Sequence, residues 1–145
     1  MNDILIVEDE RIVSMDIADR LKRNGYGVRE PVTSGESAIA SCRGARPDLV
    51  LMDIAIDGPI DGIETATRLR EFADSVPIVF LTAYSDAESL ERAKAVDPSG
   101  YVLKPFKETN LIVTVEMALS RAELAGKLRR QEQLLHCTVE GLDTA

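Results

Sequence analysis

The chain reads as an α/β fold, a parallel sheet with helices over both faces. Three observations carry that reading. Short apolar runs rich in β-branched residues, Ile4–Val7, Leu49–Met52 and Ile78–Leu81, are too short to be helices. Segments of helical spacing separate them, so strand and helix alternate along the chain. The runs are also continuously apolar, the pattern of parallel strands buried on both sides, and right-handed crossovers put the covering helices there.

The elements follow in order. Residues 10–24 set Ile12, Val13, Met15, Ile17 and Leu21 among charges at mostly helical spacing, and Asn24-Gly25 supplies the stop. A weaker strand spans 27–32. Ser34 then caps a helix with Ala38, Ile39 and Cys42 on one face, closed by Pro47. After Leu49–Met52 the Gly-Pro content of 54–60 marks a loop, and residues 61–73 place Ile63, Ala66, Leu69 and Phe72 at helical spacing. A helix over 86–97 with Leu90 and Ala93 inward follows Ile78–Leu81, and Tyr101–Leu103 forms a short fifth strand. The last helix begins near Lys107. Its pattern continues past Leu119 through Leu124, Leu128 and Leu135, a weak coiled-coil seam. If continuous to about residue 138, it is about 48 Å long at 1.5 Å per residue and projects from the body.

A chain of 145 residues suits one domain with its own core, held without disulfides or a structural metal. Seventeen Lys and Arg against 25 Asp and Glu leave a net charge of −8. That field repels phosphate backbones and anionic lipid, which argues against sequence-independent nucleic-acid binding. Cys42 and Cys137 form no spacing motif, and Met1-Asn2-Asp3 lacks the segments of a signal peptide, so a reducing cytoplasm is the expected setting. No apolar run reaches the ~18 residues of a membrane span.

The strands end in polar side chains: Glu8 and Asp9 after the first, Asp53 after the third, Thr82 after the fourth and Lys104 after the fifth. In an open parallel sheet these ends lie together, and ligands bind outside them where the strand order reverses. Three carboxylates in one crevice repel unless a cation or protons intervene. A hard divalent ion with oxygen ligands is the economical solution, and Mg²⁺ fits best because it keeps waters and meets phosphate oxygens in its shell. With Lys104 as a second positive charge and Thr82 as a hydrogen-bonding hydroxyl, the set is equipped for phosphoryl transfer. Singly, each residue is ordinary: Asp9 a helix-start carboxylate, Glu8 a solvated strand end, Lys104 a turn lysine. Only their coincidence at one sheet edge carries the chemistry.

The stretches I-L-I-V-E-D at 4–9, L-V-L-M-D ending at Asp53, V-F-L-T-A at 79–83 and Y-V-L-K-P-F at 101–106 resemble the response-regulator receiver domain of two-component signalling, over residues 1 to about 120. The resemblance implies a doubly wound sheet of order 2-1-3-4-5. It implies that Asp53 accepts a phosphoryl group from the phosphohistidine of a histidine kinase or phosphotransfer protein. Glu8 and Asp9, with Asp53 and the backbone carbonyl of Ala55, would hold Mg²⁺, and Thr82 and Lys104 would bind the phosphoryl oxygens. Thr82 and Tyr101 would form the switch, relaying phosphorylation to the surface of the fourth helix, fifth strand and fifth helix. The same resemblance makes the Lys104–Pro105 peptide cis. By the same resemblance, such a chain would promote its own phosphorylation and dephosphorylation and would not otherwise be an enzyme.

Other classes fit less well. A flavodoxin-like cofactor binder needs a first loop that cradles an anionic phosphate, and Glu8-Asp9-Glu10 repels one. A haloacid-dehalogenase-like phosphohydrolase wants a second Asp two residues after the nucleophile, where this chain has Ala55. There is no P-loop, and the Gly-containing stretch from Asp57 to Gly62 lacks calcium-loop spacing. A phosphorylation-independent interaction module remains the other alternative. Neither His136 next to Cys137 nor Cys42 is given a role beyond surface and packing.

Residues 121–145 read as a helical linker beyond the receiver. The seam through Leu124, Leu128 and Leu135 suits a parallel homodimer, with help from the fourth helix, fifth strand and fifth helix. The stretch from Glu132 to Ala145 resembles the linker and opening residues of a PAS sensor domain, so a following output module or sensor kinase is expected, with a free-standing relay as the competing arrangement. The membrane and nucleic acid are not expected partners.

Overall fold

The computed structural model describes residues 2–144, with side-chain surroundings for residues 2–131. Leu135, His136 and Cys137 lie outside the described side chains. The elements alternate as β1 (Asp3–Val7), α1 (Arg11–Arg23), β2 (Gly27–Val28), α2 (Gly35–Gly44), β3 (Leu49–Asp53), α3 (Gly62–Phe72), β4 (Ile78–Thr82), α4 (Ala87–Ala93), β5 (Gly100–Leu103) and α5 (Glu108–Thr144). The strands form one parallel sheet in the order β2-β1-β3-β4-β5.

The period-two geometry of a strand sends alternate residues to opposite faces, which explains why whole strands are apolar. Leu5, Val7, Val50, Met52 and Phe80 pack on one side with Ala38 and Cys42 of α2 and Ala66 and Leu69 of α3. Ile4, Ile6, Leu49, Leu51, Val79, Leu81 and Val102 pack on the other with Ile17 and Leu21 of α1 and Leu111, Val115 and Ala118 of α5.

Four elements depart from the sequence pattern. The strand expected over 27–32 shrinks to Gly27–Val28 plus a single bridge from Val32 to Val7, because Pro31 lacks an N–H for a continuous ladder. On α1 the inward stripe is Ser14, Ile17, Ala18 and Leu21, spaced three, one and three. Ile12 and Met15 fall off that stripe and are 84% and 58% exposed. The helix expected over 86–97 divides into a 3₁₀ turn at Tyr84–Asp86, the seven-residue α4, and a second 3₁₀ turn at Lys94–Val96. It stops at Asp97, which adopts the left-handed conformation at φ 50°, and Pro98 disfavours helical geometry at the residue before it. Finally, α5 runs for 37 residues, about 55 Å at 1.5 Å per residue, longer than the periodicity indicates.

The start of α3 sets the approach to the carboxyl edge of the sheet. Asp61 caps it, its Oδ1 accepting from the Glu64 amide at 2.8 Å. Gly62 follows, and a Cβ there would lie 2.2 Å from the Asp53 carbonyl oxygen. Only glycine lets this helix close onto the end of β3.

Candidate functional site

The strand order reverses between β1 and β3: the chain leaves β1 toward β2 on one side and returns through α2 to β3 on the other. The two helices that follow β1 and β3 therefore lie on opposite faces and open a crevice at the carboxyl edge. Glu8 and Asp9 follow β1, Asp53 ends β3, Thr82 ends β4 and Lys104 follows β5. All five side chains predicted to meet there come from this edge.

Glu8, Asp53 and Thr82 are buried, Asp9 and Lys104 partly so. One carboxylate oxygen from each of Glu8, Asp9 and Asp53 lies within 4.8 Å of the others, a donor set of the kind that holds a hard cation. Lys104 Nζ donates to Glu8 Oε2 at 3.0 Å and to Asp53 Oδ2 at 3.3 Å. Backbone amides fix three of the four remaining oxygens. Asp53 Oδ1 accepts from the Ala55 amide at 3.1 Å, Glu8 Oε1 from the Glu10 amide at 3.2 Å, and Asp9 Oδ2 from the Asp57 amide at 3.2 Å.

One ammonium faces three carboxylates, and the surplus negative charge sits where water is scarce. Burial pushes the Glu8 carboxyl up to about 7; the Lys104 hydrogen bond opposes this, and the charge of Asp53 adds to it. For Lys104, desolvation pulls the ammonium down, but the hydrogen bond to Glu8 and the charges of Asp53 and Glu8 outweigh it, so its pKa is raised and it stays protonated. The site is short of positive charge, and a divalent cation at Glu8, Asp9 and Asp53 fits that deficit.

The neighbouring residues are placed as follows. Thr82 Oγ1 donates only a long bond, 3.4 Å, to the Ala83 carbonyl, leaving the hydroxyl free to reorient. Tyr101 is paired in register with Phe80, ring centroids 6.2 Å apart, and is 39% exposed. Ala55 is exposed next to Asp53. Tyr84, two residues after Thr82, is 81% exposed. The Lys104–Pro105 peptide is cis.

Several supporting contacts escaped the sequence reading. Asp86 Oδ2 accepts from the Ala83 amide at 2.8 Å, tying the residue after Thr82 to the turn before α4. The Arg20 guanidinium lies 5.6 Å from the Phe106 ring centroid, and Glu108 accepts from Arg23 and Asn24, so α1 clasps the segment that carries Lys104. The spacing from Ala83 to Asp86 is the one local signal for these; the others join residues more than 80 positions apart.

A five-stranded parallel sheet of this order, with three carboxylates, a hydroxyl and a lysine at the switch point, is the architecture of an α/β signalling receiver. The chain belongs to the response-regulator receiver family, whose description, response regulator receiver domain, matches residues 4–116. It is 36% identical over 118 residues to the transcriptional regulatory protein PdtaR of Mycobacterium tuberculosis, covering 81% of this chain and 57% of that one. It is 31% identical over 134 residues to the nitrogen assimilation regulatory protein NtrX of Azorhizobium caulinodans, covering 92% of this chain and 29% of that one. The chain thus spans little more than half of the one relative and under a third of the other. Among solved structures, the signal receiver domain of a modulated diguanylate cyclase from Desulfovibrio desulfuricans superposes with a TM-score of 0.80 at 38% identity, over 86% of this chain and 98% of that one. The N-terminal domain of a response regulator/sensory box/GGDEF three-domain protein from Carboxydothermus hydrogenoformans does so at 0.78 and 40%, over 85% and 98%. Among the described residues, no helix is long and apolar enough to cross a membrane.

Proposed function

We propose that this receiver works as the phosphoacceptor of a two-component relay, with Asp53 taking the phosphoryl group from the phosphohistidine of a histidine kinase or phosphotransfer protein. The observation that carries this reading is the Asp53 carboxylate itself, 6% exposed, with Lys104 Nζ at 3.3 Å and ligand oxygens of Glu8 and Asp9 within 4.8 Å. An Asp53 carboxylate oxygen attacks phosphorus, the P–N bond to the donor imidazole breaks, and the electron pair leaves with the ring nitrogen. The product is an acyl phosphate on Asp53.

The residues suited to Mg²⁺ are Glu8, Asp9 and Asp53, with the Ala55 carbonyl; the ion would supply charge neutralisation to the transferring group. Lys104 pairs with a phosphoryl oxygen in place of Glu8 and Asp53, and the Thr82 hydroxyl turns toward the new acceptors. Tyr101 then moves into the space Thr82 vacates and alters the α4–β5–α5 surface. Residues 1–120 form the receiver in this reading, and 121–145 a helix leading to a further module. Two receiver neighbours from multidomain or cyclase proteins support that arrangement. Leu124 and Leu128, 60% and 52% exposed one turn apart, support pairing of that helix with a second copy.

The test is labelling with acetyl phosphate and MgCl₂, read by intact mass. One phosphoryl group is expected on the wild type, none without Mg²⁺ and none on Asp53→Asn. An unlabelled wild type would leave a phosphorylation-independent interaction module, and a label that survives Asp53→Asn would move the phosphoacceptor elsewhere.

A further inference from the structure

Arg70, in the last turn of α3, is half-buried and spends its guanidinium on backbone. Its Nη1 donates to the carbonyls of Asp74 at 2.9 Å and Val76 at 2.7 Å, in the α3–β4 connection. Its Nε donates to the Val96 carbonyl at 3.1 Å and its Nη2 to that of Asp97 at 3.3 Å, where α4 and its trailing 3₁₀ turn end. Two chain segments are thus bridged by one planar fork, a geometry a lysine cannot reproduce. Asp97 is also the residue that leaves the helix at φ 50°, so the bridged carbonyls lie at a sharp change of direction.

Burial along α4 is uneven in the same sense. Ala93 is 0% and Val96 8% exposed, both inside the core that includes Leu69 and Ile78. At the other end Tyr84, Ser85, Ala87 and Glu88 are exposed, and Leu90 is only partly packed. The exposed pair Arg92–Asp61, at 3.2 Å, is again in the last turn of α4 and adds little. What holds the first turn is the Asp86 carboxylate on the Ala83 amide, one residue from Thr82. The loosely held end is therefore the end joined to the phosphorylation site, and the firmly held end is 10–15 residues further on.

We propose that Arg70 is a positioning residue that pins the C-terminal end of α4, so that α4 moves as an arm hinged at Val96–Asp97 when Asp53 is phosphorylated. This rests on Asp53 being the phosphoacceptor. Displacement of Thr82 and Ala83 enters the free end of the arm, and the pin converts it into a tilt of α4 against β5 instead of a loosening of the whole helix. Without the pin, the same displacement frees both ends.

The test is amide hydrogen exchange, resolved to segments 84–91 and 93–99, on the resting protein and on protein labelled with acetyl phosphate and Mg²⁺. In the wild type, labelling is expected to change exchange in 84–91 and leave 93–99 within about twofold. Arg70→Lys keeps the charge and loses the fork, and Arg70→Gln serves if the lysine variant is unfolded. Either is expected to label on Asp53 to the wild-type extent, to speed exchange of 93–99 at rest by about tenfold, the loss of one charged hydrogen bond, and to let the labelling response spread into 93–99. Arg68→Gln removes an exposed charge two residues away, on the face of α3 that pairs with Glu64, and should match the wild type. A wild-type response of equal size in both segments overturns the hinge, as does wild-type exchange of 93–99 in both Arg70 variants. If the wild type takes no label, the phosphoacceptor reading fails, and the resting comparison alone decides whether Arg70 is a pin.

Discussion

The buried Glu8 carboxyl gives the receiver an inverted pH dependence that can be measured without any kinase. Its pKa stands at about 7 in the folded chain against an ordinary value of 4.5. Between those values the folded state holds a proton that the unfolded state has released, so stability falls as pH rises through this window and is greatest on its acid side. Evaluated at pH 5.5 and pH 8, a single group with these two pKa values accounts for about 2 kcal/mol. Urea unfolding in EDTA at the two pH values should show a higher midpoint at pH 5.5. Glu8→Gln, which keeps the shape and removes the titration, should flatten that difference, and subtracting its curve removes the contribution of His136 and the surface carboxylates. Adding Mg²⁺ should stabilise the wild type strongly at pH 8 and weakly at pH 5.5, because the ion needs the ionised carboxylates. If Glu8→Gln retains the wild-type difference between pH 5.5 and pH 8, the assignment of the burden to Glu8 is wrong.

Five further outcomes are expected. Gly62→Ala drives a Cβ to 2.2 Å from the Asp53 carbonyl oxygen and should cost about 2–3 kcal/mol in the urea midpoint. Gly44→Ala, with open space around it in α2, should stabilise by about 0.5 kcal/mol in the same assay. Lys104→Ala should keep most of the fold and still take label on Asp53, while the labelling response in the exchange of β5 and α4 falls away. The acyl phosphate should be long-lived, since Ala55 and the exposed Tyr84 supply neither a carboxylate nor an amide to orient water. Tyr84→Asn should shorten its lifetime by about tenfold or more if positioning is what is missing, followed by intact mass after removal of the donor. Sedimentation of the full chain against one cut after Ala118 should show self-association only in the former; a monomeric full chain at all concentrations would remove the dimer.

The sheet was legible because its physics is local: a strand buried on both faces must be apolar throughout, and Leu49–Met52 and Ile78–Leu81 announce this without reference to anything else. The five polar residues were legible for the complementary reason, each standing where an apolar run stops. Boundaries failed where the deciding partner is distant or the rule is subtractive. Ile12 and Met15 look like core in a periodicity count, yet only the stripe through Ser14, Ile17 and Leu21 faces the sheet, and Ser14 is hidden by its polarity although its hydroxyl is satisfied by the Arg11 carbonyl at 3.0 Å. The strand at 27–32 failed on Pro31. The clasp of α1 on Phe106 and Glu108, and the Arg70 fork, join residues that no window of sequence brings together.

These long-range contacts share a design. The carboxyl edge of the sheet sets three carboxylates against Lys104, while arginines brace the surrounding segments at a distance from the site. Arg20 and Arg23 hold the segment after Lys104, and Arg70 holds the far end of α4. Arg121, through the Ser99 carbonyl at 3.3 Å, ties the root of the projecting helix to the strand that carries Tyr101. Among the segments bordering Asp53, the turn between Thr82 and α4 is the one held chiefly by a single side-chain contact, Asp86 on the Ala83 amide. Under the proposed phosphorylation of Asp53, the displacement is then expected to run from Thr82 along α4 and β5 toward α5.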